Sequence, residues 1–388
     1  MPMYQEVQSV CFVGSGAMGC FNALVAGAAG LNCSVYDASQ TALTSLPDRL
    51  RATGEHLCQQ GFFSGDALSG ALERIASTTD LAAAIAGATL VSESVPEQPD
   101  IKRAVLSELD GLCGEHVIIT TNTSTLLPSE LESALSKPQR FAALHSHLGA
   151  RVFDIVGGST TDPQLLVQLE AYVRRLGGYP LLLTKENPGY VINSILGPLL
   201  TASLTLLAEQ GMSAESIDRA WMRSQSVPIG PVGLMDLFGL DVIFDSWQRP
   251  GKHNHPLRSR ILAQLAPFVE GNVLGIKSGR GFYSYPDPSY AQADFLTAAS
   301  DKTIENCLLA VFLTQALALA ANEIAEASKV DEAWTISFGS PHGPFAQLQA
   351  LGIPALKKYQ DEARCRGLLD GDVLSLVSDY LASTAPPI

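Results

Sequence analysis

The sequence predicts a doubly wound α/β domain on a parallel sheet, Rossmann-type in its element order, followed by an all-α, internally duplicated C-terminal part. Three observations predict it. Short β-rich runs alternate with helical patterns from residue 9 to about 184. After Asn187-Pro188-Gly189 the pattern turns to long helical periods with no convincing strand. The helical half then repeats itself at a fixed offset of 113 residues.

In order along the chain, SVCFVG reads as the first strand, a helix starts at Ala17, and CSVYD is the second strand. A helix to about Gln60 follows, and then RIAST, LVSESV, VIITTNT, FAALHSH, FDIVGG and PLLLT read as further strands. In the helical half Asn193 falls on Asn306, Leu196 on Leu309, Asp218 on Asp331, Trp221 on Trp334, Gly230 on Gly343 and Pro231 on Pro344. Aligning DxAW, PxGP and a following glycine without a gap implies two copies of one helical domain. The Gly-, Pro- and Ser-rich stretch 278–290 reads as the linker between them. The expected boundaries are 1–186, 187–290 and 291–388.

A chain of 388 residues exceeds the usual single-domain size, and 46% hydrophobic against 16% charged residues is globular rather than disordered. The net charge of −14 repels phosphate backbones and anionic lipid, so nucleic acid and membrane partners are not expected. The apolar stretches 191–208 and 307–321 are interrupted by polar residues and read as buried core. Seven cysteines are scattered without CxxC spacing, and the N-terminus lacks a basic, then apolar, leader. A reduced, cytoplasmic protein is the expectation.

Gly14-Ser15-Gly16-Ala17-Met18-Gly19 stands between a predicted strand and a predicted helix. In such a GxGxxG the first glycine allows the tight turn, the second lets backbone approach a pyrophosphate, and the third lets helix and strand pack closely. The next strand ends in Asp37, 23 residues beyond Gly14, where a carboxylate accepts from ribose hydroxyls. That carboxylate repels a 2′-phosphate, and Ala38-Ser39-Gln40 offers no arginine to receive one. The expected cofactor is NAD.

With GSGAMG and Asp37, the blocks SESVPEQPDIK (92–102), TNTSTL (121–126), RFAALH (140–145), ENPGYVIN (186–193), GPVGLMDLFGLDV (230–242) and KSGRGFYSYP (277–286) occur in the order of the L-3-hydroxyacyl-CoA dehydrogenases. The chain resembles that family over about residues 8–290, and the remainder resembles the second C-terminal domain of its longer members. The resemblance implies an NAD-dependent oxidoreductase acting on 3-hydroxyacyl thioesters of CoA or an acyl carrier protein. His145 matches the family's catalytic histidine, a proton acceptor suited by an ordinary pKa near 6.5. Ser124 and Asn193 match the polar residues around the thioester and the reacting oxygen, and Glu93, Glu97, Lys102 and Asn122 match positions lining the cofactor cleft. For Lys102 a solvated surface charge is an equally open reading.

One block departs from the family. Typical members continue the histidine as H-F-F-N-P and place an orienting glutamate about a dozen residues on. Here Ser146-His147-Leu148-Gly149-Ala150-Arg151 follows His145, about three residues are deleted, and Asp154 is the best orienter. His147 shares a strand face with His145, but no third ligand at metal spacing accompanies the pair, and no metal is expected. His253 and His255 read as loop residues. Two other functions stay open: a dehydrogenase of a free hydroxy acid, like the gulonate-type relatives, and an NAD-binding scaffold or sensor without turnover. The repeat suggests either a monomer with an internal pseudo-dimer or a homodimer.

Overall fold

The structure is a computed structural model and describes Tyr4, residues 6–249 and residues 252–383. The ends of the first and last expected domains lie outside the described residues. The chain forms two compact units, Met1–Val191 and Ile192–Ile388.

The N-terminal unit is built on eight strands: β1 (Ser9–Val13), β2 (Asn32–Tyr36), β3 (Ile75–Thr78), β4 (Leu90–Glu93), β5 (Ile118–Thr121), β6 (Phe141–Ser146), β7 (Val152–Gly157) and β8 (Tyr179–Leu182). They lie in the order β3-β2-β1-β4-β5-β6-β7-β8. Alternation along β1 shows how both faces are covered. Val10 and Phe12 join the core under the helices Ala17–Ala28, Leu46–Gln59 and Pro163–Arg175, whereas Cys11 and Val13 join the core under Leu81–Ile85 and Pro99–Leu112. The strand order reverses between β1 and β4, so their carboxyl ends open a crevice at the switch point.

One pair departs from the expected parallel sheet: β6 and β7 are antiparallel, with His145 directly opposite Asp154. Only residues 147–151 connect them, too few for the crossover a parallel neighbour requires.

The C-terminal unit is helical, and its helices keep the offset found in the sequence. Ala214–Gln225, Pro231–Phe238, Leu240–Gln248 and Arg258–Glu270 are answered by Ala327–Phe338, Pro344–Leu351, Ile353–Cys365 and Gly371–Ser383. The repeated Asp and Gly have a physical reason. The helix starting at Pro231 has a glycine at its N-cap and no side-chain cap of its own. Asp218 serves instead, accepting from the Val232 and Gly233 amides at 2.7 and 2.8 Å, and Asp331 does the same for Phe345 and Ala346 at 2.7 and 2.9 Å. A Cβ on Gly230 or Gly343 would run into those aspartates.

Helix Lys302–Ala321 is long and apolar enough to cross a membrane, yet 67% of its most apolar stretch is buried inside the protein. It packs along helix Ile192–Gln210, and Phe312 on it receives Trp221 from one set of helices and Trp334 from the other.

The stretch 278–290 is not the free linker expected from its composition. Asp236 accepts from the Phe282 and Tyr283 amides and from the Tyr285 hydroxyl, while the Tyr283 hydroxyl donates to Asp218 at 2.8 Å. Two buried carboxylates in the helices therefore tie the segment down, which its Gly and Pro content does not reveal.

Candidate active site

The first site element is the turn after β1. Gly14 has φ +106°, a conformation that favours glycine, and a Cβ there would lie 2.7 Å from the Ser94 carbonyl oxygen. A Cβ on Gly19 would collide with the Gly14 carbonyl, whereas one on Gly16 would meet nothing within 4 Å. Open space thus lies in front of Gly16, which is also the N-cap of helix Ala17–Ala28 and supplies no side chain to its first amides, those of Ala17 and Met18 among them. An open glycine and an uncapped helix start fit a dinucleotide pyrophosphate.

Asp37 lies just beyond β2. Its Oδ2 accepts from the Ser15 amide at 3.0 Å and the Ser15 hydroxyl at 2.7 Å, and its Oδ1 from the Ser39 amide at 2.9 Å. Partial burial raises its pKa, but these donors and the nearby Arg49 guanidinium outweigh that and hold it below the ordinary value. Arg49 comes from helix Leu46–Gln59, donates to the Ser15 carbonyl and to the Ala42 carbonyl at 2.7 Å, and reaches the Ser15 hydroxyl at 3.2 Å. Ala38-Ser39-Gln40 holds no arginine, yet the fold brings Arg49 beside Asp37.

Behind the switch point lies a buried charge network. Lys102 is 1% exposed, so the solvated reading of this residue is wrong. Its ammonium donates to Glu93 Oε1 at 2.7 Å, to the Val95 carbonyl at 3.3 Å, and pairs with Glu97 Oε2 at 3.4 Å. Glu93 also accepts from the Val95 amide and the Thr121 hydroxyl at 2.6 Å each. Glu97 Oε1 collects the Thr123 hydroxyl, the Ser124 amide and hydroxyl, and the Thr125 amide and hydroxyl. Burial works to raise the Glu97 pKa, but Lys102 and these donors pull it down to about 2. Glu97 is therefore the post that shapes the 122–125 loop, and Ser124 is fixed by it.

The third element is the β6–β7 hairpin. His145 Nδ1 lies 2.9 Å from Asp154 Oδ2, and His147 Nε2 lies 2.8 Å from the same oxygen. Asp154 is wholly buried; burial raises its pKa, and the two imidazoles more than offset that, so it stays ionised. An ionised carboxylate only accepts, which makes both nitrogens donors and leaves Nε2 of a neutral His145 with its lone pair. Burial, and then His147, lower the His145 pKa; the contacts with Asp154 only partly offset this, so the ring is neutral near pH 7.

Asn122 accepts at Oδ1 from the Ser146 amide and hydroxyl at 2.8 and 3.0 Å, locking the strand between the two histidines. Tyr190, buried and held at φ +51°, tilts its ring over His145 with centroids 5.1 Å apart, and its carbonyl accepts from Asn187.

His145, Asp154 and the turn and loop residues named from sequence all belong to the N-terminal unit, whereas Asn193 lies in the first turn of helix Ile192–Gln210 in the C-terminal unit. Asp154 supplies the third group that the two-histidine pair lacked in sequence: the three ligand atoms lie within 4.8 Å of one another, a set able to hold a metal. Their 2.8 and 2.9 Å separations are those of hydrogen bonds. His253 is exposed, and His255 packs edge-on to Trp247. Ser15, Arg49, Ser146 and Tyr190 were not singled out from sequence. Period-two spacing marked His147, but for Arg49 and Tyr190 no local signal exists.

The family model for the NAD binding domain of 3-hydroxyacyl-CoA dehydrogenase matches residues 9–187. That for the 3-hydroxyacyl-CoA dehydrogenase C-terminal domain matches residues 189–285 and 304–367. The chain is 31% identical over 294 residues to the 3-hydroxyadipyl-CoA dehydrogenase of Escherichia coli K12, matching 73% of its own length and 60% of that protein's. It is 30% identical over 290 residues to the human mitochondrial hydroxyacyl-coenzyme A dehydrogenase, covering 72% of its own length and 91% of the relative's. The crystal structure of 3-hydroxybutyryl-CoA dehydrogenase from Escherichia coli K12 shares the fold over 98% of this chain and all of that one, with TM-score 0.77 and 21% identity.

Proposed function

The chain belongs to the 3-hydroxyacyl-CoA dehydrogenase family of NAD-dependent dehydrogenases, and from that premise we propose that it interconverts 3-hydroxyacyl and 3-oxoacyl thioesters with His145 as general base. The observation that carries this reading is the buried His145, whose Nδ1–H is spent on Asp154 and whose Nε2 is left to accept a proton. Bound NAD supplies a hydride acceptor for C3 of the hydroxyacyl group.

As the hydroxyl proton passes to His145 Nε2, the imidazolium that forms is stabilised by the Asp154 carboxylate on its other nitrogen. Asp154 reaches the imidazole from directly across the antiparallel pair. Ser124 and Asn193 are the donors proposed for the reacting oxygen and the thioester carbonyl, where developing negative charge rewards preset hydrogen bonds. Gly14, Gly16, Ala17, Met18, Gly19 and Asp37 hold the adenosine and pyrophosphate part of the cofactor, and Glu93, Glu97, Lys102 and Asn122 build the wall of its cleft. Lys102 does this as an internal tie, since its charge is already paired.

The acyl group is carried by CoA or by a carrier protein. A spectrophotometric NAD(H) screen over CoA, pantetheine and carrier-protein thioesters of several chain lengths tests the reading. Turnover on at least one 3-hydroxyacyl thioester is expected. Turnover only on free hydroxy acids would replace the substrate class, and tight NAD binding without any turnover would remove the enzyme reading.

A further inference from the structure

The hairpin holds a feature that the base and orienter alone do not require: one carboxylate oxygen serves two imidazoles. His145 stands directly across the antiparallel pair from Asp154, and His147, two residues on, reaches Asp154 diagonally from the same face. Both bond to Oδ2, at 2.9 and 2.8 Å, and Oδ1 has no hydrogen-bond partner among the described residues. A carboxylate with no exposure needs compensation for its lost hydration, and here the two imidazole N–H groups provide it.

We propose that His147 is a positioning residue for the dehydrogenase reaction, donating its Nε2–H to Asp154 so that the same carboxylate oxygen is held in line with Nδ1 of His145. The inference rests on the reading of His145 as the base. A short aspartate left with one hydrogen bond would be free to rotate about its side-chain bond and present Oδ1, and the imidazole would lose its fixed orientation. His147 is itself packed edge-on to His145, with ring centroids 4.4 Å apart, so its position also limits the tilt of the base.

His147 also affects the proton balance, because it competes with His145 for one negative charge. Its presence lowers the proton affinity of His145, secondary to burial, and it is the largest influence holding Asp154 ionised. Among the described residues of the N-terminal unit, Glu97, already paired with Lys102, and Tyr190 with Glu186 beyond it also bear on this pair. None of these changes when His147 is replaced, so a change in the acid limb of the pH profile is assignable to the triad.

The test compares His147→Phe, which keeps an aromatic ring and loses the donor, with His147→Gln, which keeps a donor. Both are made in the full chain and assayed with whichever 3-hydroxyacyl thioester the wild type turns over. The Phe variant is expected to lose kcat by about tenfold or more with KM and NAD affinity near wild type, and to move the acid limb of its pH–rate profile upward. The Gln variant is expected to recover most of that kcat. Thermal unfolding and NAD binding by fluorescence check that both variants are folded. A Phe variant with wild-type kcat and pH profile overturns the proposal, as does a folded Gln variant no better than Phe. A fully active His145→Ala enzyme would instead remove the base reading underneath it, a different outcome from either.

Discussion

Asp37 spends three hydrogen-bond positions on the protein itself, two on Ser15 and one on Ser39. Those bonds aim its remaining lone pairs and keep it ionised, as its lowered pKa requires. Replacing it with alanine removes the proposed ribose acceptor and the partner of the Ser15 hydroxyl in one step. NAD binding should weaken by about 1–3 kcal/mol, the loss of a charge-assisted hydrogen-bond pair. Because Arg49 already lies beside the position, discrimination against NADP should relax in the same variant. Titration of wild type and Asp37→Ala with both dinucleotides checks this, and a wild type that prefers NADP would refute the role given to the carboxylate.

At the scale of elements, what could be read from sequence was what depends on neighbours in the chain. The strand, glycine turn, helix and acid of the cofactor fingerprint are local, and so is the period-two spacing that puts His145 and His147 on one face. The repeated Asp218 and Asp331 are visible as a pattern, but their shared task of capping a helix 14 residues on depends on the fold that brings each to that helix start. Burial was not legible: Lys102 looks like any helix-surface lysine until Glu93 and Glu97 are seen around it. The same holds for 278–290, whose linker-like composition is overruled by Asp236 and Asp218.

The folded pKa of Glu97, about 2, lies below the ordinary glutamate value of 4.5, so its contribution to stability is present above the unfolded pKa and is lost as pH falls through the window between 4.5 and about 2. Glu97→Gln, which cannot follow that titration, should unfold with a shallower dependence on pH across this window and lose NAD affinity as the 122–125 loop loosens. Parallel denaturation curves for wild type and variant between those pH values measure it. Equal slopes would show that the loop donors do not depend on the charge.

For the whole molecule, we read residues 291–388 as a second copy of the helical domain that supplies, in one chain, the partner face the first copy needs. Trp221 and Trp334 both close on Phe312, and the Gln225 and Gln347 amides exchange hydrogen bonds at 3.0 and 2.8 Å. Both contacts join the two sets of helices inside the C-terminal unit. Ending the chain after about residue 290 should expose an apolar face on the order of 1,000 Å² or more and give dimers or aggregates, read by size-exclusion chromatography with light scattering. A truncated chain that stays monomeric and as stable as the full one would make the second copy an appendage.

That His145 accepts the substrate proton is tested most directly by kcat of His145→Ala beside the wild type on the same 3-hydroxyacyl thioester, with NAD affinity measured in parallel. A fall in kcat of at least about 100-fold with NAD binding retained is expected, because His145 lies on the β6–β7 hairpin whereas the glycine turn is the proposed dinucleotide site. A His145→Ala enzyme that turns over at the wild-type rate would contradict it.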